Sequence, residues 1–381
     1  MKKAAAILLA GAILAGSGAV VAAGGQSLVS KSYVDKTFTG QALEQVSKRA
    51  ESQMSAAYDR ALNDLNSRHS GYLGQSGTGS SGGVVTVSGF ADRRFKRGDV
   101  LNLTPGSGVM LLAGGAASSG GVLVDVTAGA AVAAGGGLSV RHRCLAGESA
   151  ATVVTVTSDT AVLSLEGSYT LSPSGSVDYN AMADGLAEMG LLKGTGAAYG
   201  SGYELERQTV RVEGLVMFIR LMGEESAALA STAVNPFVDS PSWADRYLAY
   251  AYERGYTTGV GTNAAGQLVF GPNNTFTAAQ YMTFALRALG YSDGGDAPDF
   301  SWQNAMDAGL AYGVIRQSEL AMLNSSAFCR AQVAYLSVCA LSAPAKTGGT
   351  LLDRTVSSGG FDPGTMGAVL ERISALRMSG S

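Results

Sequence analysis

The chain has little cysteine, little histidine and little charge. It carries three cysteines and two histidines, charged residues make up 15% of it, and its net charge is −3. A disulfide framework is excluded, because secreted domains that depend on disulfides carry more cysteines in even numbers. Nucleic acid is a poor partner for so weakly charged a chain. A cell that exports this protein need not rely on oxidative folding.

The few cysteines also argue against a metal site. Cys329 and Cys339 are ten residues apart on one predicted helix, about 15 Å along its axis and too far to bridge. Cys144 shares a predicted strand face with His142, but a structural zinc needs four ligands. We therefore expect three buried, free cysteines and neither metal nor cofactor.

Catalytic signatures are equally scarce. The chain contains no HExxH, CxxC or P-loop pattern. His69 lies beside a glycine-rich run, where a preorganised base is not expected. Asp125, Asp159 and Glu166 are the candidate carboxylates for glycoside cleavage in the middle of the chain. The sequence predicts a protein that is not an enzyme.

The N-terminus is typical of an export signal. Two lysines precede an apolar stretch, Ala4 to Leu14, and small residues follow at Ala22 and Ala23. This pattern predicts a signal peptide at 1–23, with an uncleaved anchor as the alternative because the stretch is about long enough to span a bilayer. We expect a secreted protein that has no membrane contact after cleavage.

The next segments change composition twice. Apolar residues at threes and fours predict a helical stalk over 24–70, either solvated or self-associating as a coiled coil. Gly, Ser, Thr and Gln then make 71–83 a flexible linker. Over 84–171, seven short Val/Leu/Thr-rich runs separated by Gly, Ser, Asp or Pro predict an all-β sandwich, barrel or roll. The fold class is therefore multidomain α + β.

Three helix pairs follow, over 172–345. First helices contain Gly190, Gly255 and Gly309, and the second helices begin 20, 22 and 20 residues later. This period predicts an all-α bundle of three repeats, at about 177–232, 233–293 and 294–345. In the tail, 346–381, an amphipathic helix from Thr365 to Met378 is predicted to pack on the repeats. Its apolar stripe is Met366, Val369, Leu370, Ile373 and Leu376.

The second repeat resembles the S-layer homology (SLH) motif of bacterial envelope proteins. The matching features run from Val234 over about 60 residues. They are the F-x-D of Phe237 and Asp239, the pair Trp243 and Ala244, the turn glycines Gly255, Gly259 and Gly261, the F-x-P of Phe270 and Pro272, and the helix opening Thr277 to Gln280. The first repeat lacks the F-x-D and WA opening, and the third is more degenerate.

The resemblance implies a fold and a ligand. SLH triplets are associated with a pseudo-threefold bundle whose grooves hold acidic, often pyruvylated, secondary cell-wall polysaccharide. The family signature Thr-Arg-Ala-Glu falls on 210–213, 277–280 and 329–332, which places Arg211 and Arg330 at the carboxylate. The second repeat departs from it with Ala278. The implied polymer-binding set is Arg211, Glu213, Arg330, Gln332, Lys193, Trp243, Asp239, Thr277 and Gln280.

Packing alone is the alternative for many of these residues. Thr277 and Gln280 have the spacing of a capping box. Arg211 and Arg330 could be solvated arginines near a helix end, and Trp243 could either pack or carry a sugar ring. However, arginine in a first helical turn opposes the helix dipole, so two arginines at equivalent positions suggest that an anion binds there.

Together these features predict an exported protein of the bacterial cell wall or S-layer. Its repeats would attach it non-covalently to an acidic secondary cell-wall polysaccharide. The alternative is an envelope assembly protein whose repeats are a packing scaffold and whose stalk or β module self-associates.

Overall fold

A computed structural model describes residues 83–148, 151–325 and 327–378. The predicted signal peptide and stalk, and all but the last residue of the predicted linker, lie outside the described residues. The described part confirms the α + β fold class: a β module comes first and a helical bundle follows. None of the described helices combines the length and the hydropathy that a membrane span requires.

The β module contains nine antiparallel strands in its described part. They are β1 (Val84–Lys96), β2 (Val100–Leu103), β3 (Gly108–Ala113), β4 (Ala116–Gly120), β5 (Leu123–Asp125), β6 (Ala130–Val132), β7 (Arg143–Ala146), β8 (Thr152–Val156) and β9 (Thr160–Ser172). The long β9 pairs with β1, β2 and β3. In one arm the sheet continues from β9 through β2 and β8 to β4. In the other arm it continues from β9 through β3, β7 and β5 to β6.

The two arms meet, so the sheet nearly closes on itself. Ala116 and Ser118 of β4 exchange backbone hydrogen bonds with residues 135–138, just after β6. The alternating burial of β8 is typical of strands with one face on a core. That core contains Leu101, Val109, Leu163 and the free Cys144.

The helical bundle follows the β module. Its α-helices are α1 (Tyr179–Glu188), α2 (Arg211–Leu221), α3 (Glu225–Ala230), α4 (Asp245–Glu253), α5 (Ala278–Ala288), α6 (Ala305–Ala311), α7 (Gln317–Ser325), α8 (Arg330–Leu341), α9 (Leu351–Gly359) and α10 (Pro363–Ser374). Short 3₁₀ turns, Ser242–Ala244 and Trp302–Asn304, precede α4 and α6. A small hairpin, β10 (Gly261–Thr262) and β11 (Leu268–Val269), lies in the second repeat.

The repeats are arranged cyclically. The second helices of the three repeats, α2, α5 and α8, all contact one another. Each first helix packs on the second helix of the preceding repeat: α4 on α2, α6 on α5, and α1 on α8. The last contact joins the first repeat to the third, as the predicted pseudo-threefold bundle requires.

The register glycine predicted for the third repeat was wrong. Gly190, Gly255 and Gly313 each follow the end of a first helix with φ of 74°, 71° and 74°, a left-handed conformation that favours glycine. Gly309 instead lies inside α6, where an added Cβ would come within 2.7 Å of Met282. The equivalent position is therefore four residues later than the sequence spacing indicated.

The bundle core lies around the three second helices. Phe276 makes aromatic contacts with Tyr281, Phe284 and Phe328, at centroid distances from 5.8 to 6.0 Å. Cys339 is fully buried, and Cys329 is also buried and free, as expected. Residues from separate repeats thus fill one continuous core.

The C-terminal helices complete this core. Met366, Val369 and Ile373 of α10 are buried, so the predicted stripe lies against the repeats. An added Cβ on Gly185 of α1 would come within 2.3 Å of Ile373. Helix α9, which sequence reasoning did not predict, is joined to α2 by the hydrogen bond from Thr355 Oγ1 to the Leu221 carbonyl, 3.0 Å long.

Candidate functional site

A cleft of about 430 Å³ opens where the three repeats meet. Arg330 reaches it from the first turn of α8, and Arg220 and Glu213 from α2. Trp243 lines it from the 3₁₀ turn of the second repeat. Three of the predicted site residues, Arg330, Glu213 and Trp243, are therefore brought together, although they come from different repeats.

Arg330 is the buried cation of this cleft. Its side chain belongs to a residue only 4% exposed. Nε donates to the Tyr203 carbonyl at 2.7 Å, and Nη2 donates to the Lys193 carbonyl at 3.2 Å. Nη1 contacts the sulfur of Met217 at 3.4 Å. Since a guanidinium carries five N–H donors, two remain for a ligand.

No carboxylate in the described part of the chain pairs with Arg330. Burial first, and the neighbouring positive charge of Arg207 next, lower the pKa of Arg330, and the negative charges of Glu213 and Glu204 offset this only in part. An uncompensated charge in a buried position costs free energy unless an opposite charge arrives. The N-terminus of α8 adds a positive dipole end at the same place. An anion in the cleft would interact favourably with both the buried charge of Arg330 and the dipole of α8.

The other charges around the cleft compensate one another. Arg207 forms a bidentate ion pair with Glu213, in which Nη1 donates to Oε2 at 3.0 Å and Nη2 donates to Oε1 at 3.1 Å. Arg207 also pairs with Glu204. Glu225 accepts hydrogen bonds from Arg220 and Lys193. Counting these groups gives four cations and three carboxylates: Arg330, Arg207, Arg220 and Lys193 against Glu204, Glu213 and Glu225. The excess positive charge therefore belongs to Arg330.

Trp243 supplies the apolar surface of the cleft. Its residue is 58% exposed, unusual for so large a side chain. Lys193 contributes its carbonyl to Arg330, while its ammonium group pairs with Glu225. Its neighbour Gly194 lines the cleft itself. The arrangement places an exposed indole beside a buried cation.

Arg211 has a similar environment at the start of α2. Its residue is 7% exposed, and its guanidinium lies 4.9 Å from the Phe270 ring centroid and 5.9 Å from that of Phe284. Nη2 reaches the Gly259 carbonyl at 3.5 Å, and Nε has no hydrogen-bond partner. Burial, followed by the charge of Arg287, lowers the pKa of Arg211 to about 10. The described residues supply no carboxylate to it.

The signature residue three positions after each N-cap has a different role in each repeat. Glu213 pairs with Arg207, as described above. Gln332 is fully buried and donates from Nε2 to Asp159 of the β module at 2.6 Å, while its Oε1 accepts from the Cys329 backbone. Gln280 likewise accepts from the backbone of its N-cap, Thr277, at 3.3 Å, and Thr277 Oγ1 accepts in return. The predicted capping box is confirmed.

Asp239 connects two loops of the second repeat. Its carboxylate accepts backbone N–H groups of Phe270 at 2.7 Å and Gly271 at 2.8 Å. Asp239, Thr277 and Gln280 thus engage their own repeat through local hydrogen bonds.

Sequence reasoning missed two arginines at the main cleft, Arg207 and Arg220. Arg207 precedes the signature by a few residues, in a stretch whose pattern predicts nothing about the cleft. Arg220 did have a signal, because Arg287 stands at the same position of the second repeat, ten residues after the N-cap. A repeat alignment extended to the ends of the second helices would have found this pair.

Comparison with known proteins gives a distant relationship. No family model matches the chain, so the SLH resemblance rests on the motif residues. The chain is 29% identical over 151 residues to a protein described as "Cell surface protein" from Thermoanaerobacter kivui. The alignment covers 37% of this chain and 19% of that protein, so the match spans about a fifth of the relative's length. This is distant homology to a cell surface protein.

Proposed function

We propose that this chain is an exported surface protein of the bacterial cell wall that attaches non-covalently to acidic secondary cell-wall polysaccharide. The helical repeats are the attaching part. Distant homology to a cell surface protein supports the location. The observation that carries the binding is the buried guanidinium of Arg330, which lines an open cleft without a carboxylate partner among the described residues.

The proposed binding mode follows from the groups at the cleft. A sugar carboxylate accepts hydrogen bonds from the free N–H donors of Arg330, a charge-assisted interaction stronger than one between neutral groups. The pyranose ring lies on the exposed Trp243, since an indole offers a flat apolar face with a polar edge. Glu213 and Lys193 flank the ligand and keep Arg207 and Glu225 in place.

The remaining predicted residues have two roles in this proposal. Arg211 is a second anion-binding arginine, because it too is buried and has no carboxylate partner in the described chain. Gln332, Asp239, Thr277 and Gln280 stabilise the repeats through the hydrogen bonds described above and do not contact the ligand.

The test is retention of the full chain on purified wall sacculi. The full chain is required because a buried ion pair joins the β module to the helices. We expect retention on intact sacculi and loss after the secondary polysaccharide is removed. Arg330→Gln should weaken binding at least tenfold, given roughly 1.5–3 kcal/mol for hydrogen bonds to a charged group. Equal retention on stripped sacculi would contradict polymer recognition.

The second candidate is an assembly protein that self-associates. It is favoured by large apolar side chains exposed on the β module, including Val84, Val122, Val126 and Val140, at 48–65% exposure. Ionic strength separates the two functions. Binding through Arg330 weakens as salt rises, whereas apolar self-association holds or strengthens. Sedimentation of the chain with and without sacculi, at low and high salt, measures both.

A further inference from the structure

The loops that join the two helices of the first and second repeats make equivalent backbone contacts. In the second repeat, the Asn274 carbonyl accepts the N–H of Arg211 at 3.0 Å. In the first repeat, the Arg207 carbonyl accepts the N–H of Arg330, also at 3.0 Å. Asn274 and Arg207 each stand three residues before the N-cap of the second helix of their own repeat. We call residues 193–207 the cleft loop, because several of them line the cleft that contains Arg330.

Equivalent positions in the two loops are held by different parts of the chain. By the same count, Tyr203 corresponds to Phe270. The residues that follow them, Glu204 and Gly271, both have positive φ, of 49° and 69°. In the second repeat, Asp239 of the F-x-D motif accepts the backbone N–H groups of Phe270 and Gly271. The first repeat has no F-x-D motif, and the segment before α1 leads directly from β9 of the β module.

The β module contacts the cleft loop directly. Asp92 of β1 accepts the Gly200 N–H through Oδ2 at 3.3 Å, and Nη1 of Arg94 donates to Ser201 Oγ at 3.2 Å. The Arg94 guanidinium also lies 6.0 Å from the ring centroid of Tyr203. An added Cβ on Gly200 would come within 3.2 Å of a valine side chain of β9, so the backbone of the loop lies against the sheet.

The β module also contacts the helix that carries Arg330. Arg330 extends from the first turn of α8 to the cleft loop, where the Tyr203 and Lys193 carbonyls accept hydrogen bonds from its guanidinium. Asp159, between β8 and β9, accepts Nε2 of Gln332 in the same first turn, at 2.6 Å. The helix that carries the guanidinium and the loop that orients it are therefore both held by the β module.

We propose that the β module is a positioning part of the polymer-binding site. It replaces the missing F-x-D motif of the first repeat and, through Asp92, Arg94 and Asp159, keeps the cleft loop and the start of α8 in place. These three residues act through the loop and the helix and do not line the cleft themselves. This inference rests on the proposed function. A cleft that is ordered before the ligand arrives binds more tightly, because the cost of ordering it is not incurred on binding.

The test compares two variants of the full chain. The double variant Asp92→Ala, Asp159→Ala removes the β-module carboxylates that contact the cleft loop and α8. Asn180→Ala is the matched control, because it removes a hydrogen bond between β1 and α1 that involves neither the cleft loop nor α8. Both variants are titrated with secondary polysaccharide released from sacculi, at a temperature where urea unfolding shows each of them to be fully folded.

We expect the double variant to bind about fivefold more weakly than the wild type, the order of effect of one or two lost hydrogen bonds. The control should bind as the wild type does. A second readout needs no ligand: the N–H groups of Thr195 and Gly202 are bonded within the cleft loop. Their hydrogen exchange should be faster in the double variant, because the loop opens more often, and unchanged in the control.

Three outcomes would overturn the inference. They are equal affinity of the double variant and the wild type, cleft-loop exchange that is no faster in the double variant, and an equal loss of affinity in Asn180→Ala, which would mark the effect as one of stability alone. The wild type tests the proposed function separately. If it neither binds the released polysaccharide nor is retained on sacculi, the proposed function itself has failed.

Discussion

Arg94 of β1 and Asp184 of α1 form a two-pronged ion pair, with Nη1–Oδ1 at 2.9 Å and Nη2–Oδ2 at 2.7 Å. Their side chains are only 5% and 4% exposed. Burial by itself lowers the pKa of Arg94, but the hydrogen bonds and charge of Asp184 reverse the direction and raise it. The pair joins the β module to the first repeat, beside the hydrogen bond from Asn180 Nδ2 to the Phe95 carbonyl.

Breaking this pair should destabilise the whole described unit. Asp184→Ala leaves a buried guanidinium without its carboxylate, which costs about 3–5 kcal/mol. The double variant Arg94→Met, Asp184→Leu replaces both charges with apolar groups and should recover most of the loss. The free energy of unfolding in urea measures both. A double variant as unstable as the single one would show that the pair is needed for more than charge compensation.

Glycine packing gives a second prediction with its own control. Gly214 lies in α2, and an added Cβ would come within 2.1 Å of Cε1 of Phe276. Gly214→Ala should therefore cost about 1–3 kcal/mol through overpacking at the bundle core. Gly367 lies in α10 with no atom within 4 Å of an added Cβ. Gly367→Ala should stabilise by about 0.5–1 kcal/mol, since alanine favours helix. Thermal unfolding of the two variants should shift in opposite directions.

Much of the bundle was predictable because its signals are local. Apolar spacing predicts the second helices, and the Thr-x-x-Gln spacing predicts the capping box at Thr277. The β module was predictable as a class for the same reason, but its strand order was not. Pairing of β9 with β1, β2 and β3 depends on contacts between residues far apart in the chain.

The cleft could not be predicted without knowing that the repeats pack cyclically. Sequence reasoning placed Arg211 and Arg330 on equivalent helices, but only the structure shows that Trp243 and Arg330 of different repeats line one cleft. The contact of Met378 with Tyr335 could not be predicted either, because the apolar stripe of the tail does not indicate which side chain the Met378 backbone N–H binds.

Acid should weaken the bundle through Glu225. Desolvation alone would raise its pKa, but hydrogen bonds from Lys193, Arg220 and Tyr247 outweigh it and lower the pKa to about 2. An unfolded glutamate titrates near 4.3. The folded value is the lower one, so this stabilisation is present above about pH 4.3 and is lost as the pH falls towards 2.

The measurement compares wild type with Glu225→Gln. The variant should have the smaller free energy of unfolding at pH 6, and the difference should shrink as the pH is lowered from 4.5 to 2.5. A difference that stays constant over this range would show that Glu225 stabilises the fold through its shape and not through its charge.

The variant Thr277→Ala distinguishes a capping role of Thr277 from a role in ligand binding. Its hydroxyl accepts the Gln280 N–H, and the Gln280 side chain accepts in return, so Thr277→Ala should cost about 1 kcal/mol of stability. Thr277 begins α5 and does not line the cleft that contains Arg330 and Trp243. We therefore expect Thr277→Ala to be retained on wall sacculi as well as the wild type is. A loss of retention at a temperature where the variant is fully folded would assign Thr277 to ligand contact instead.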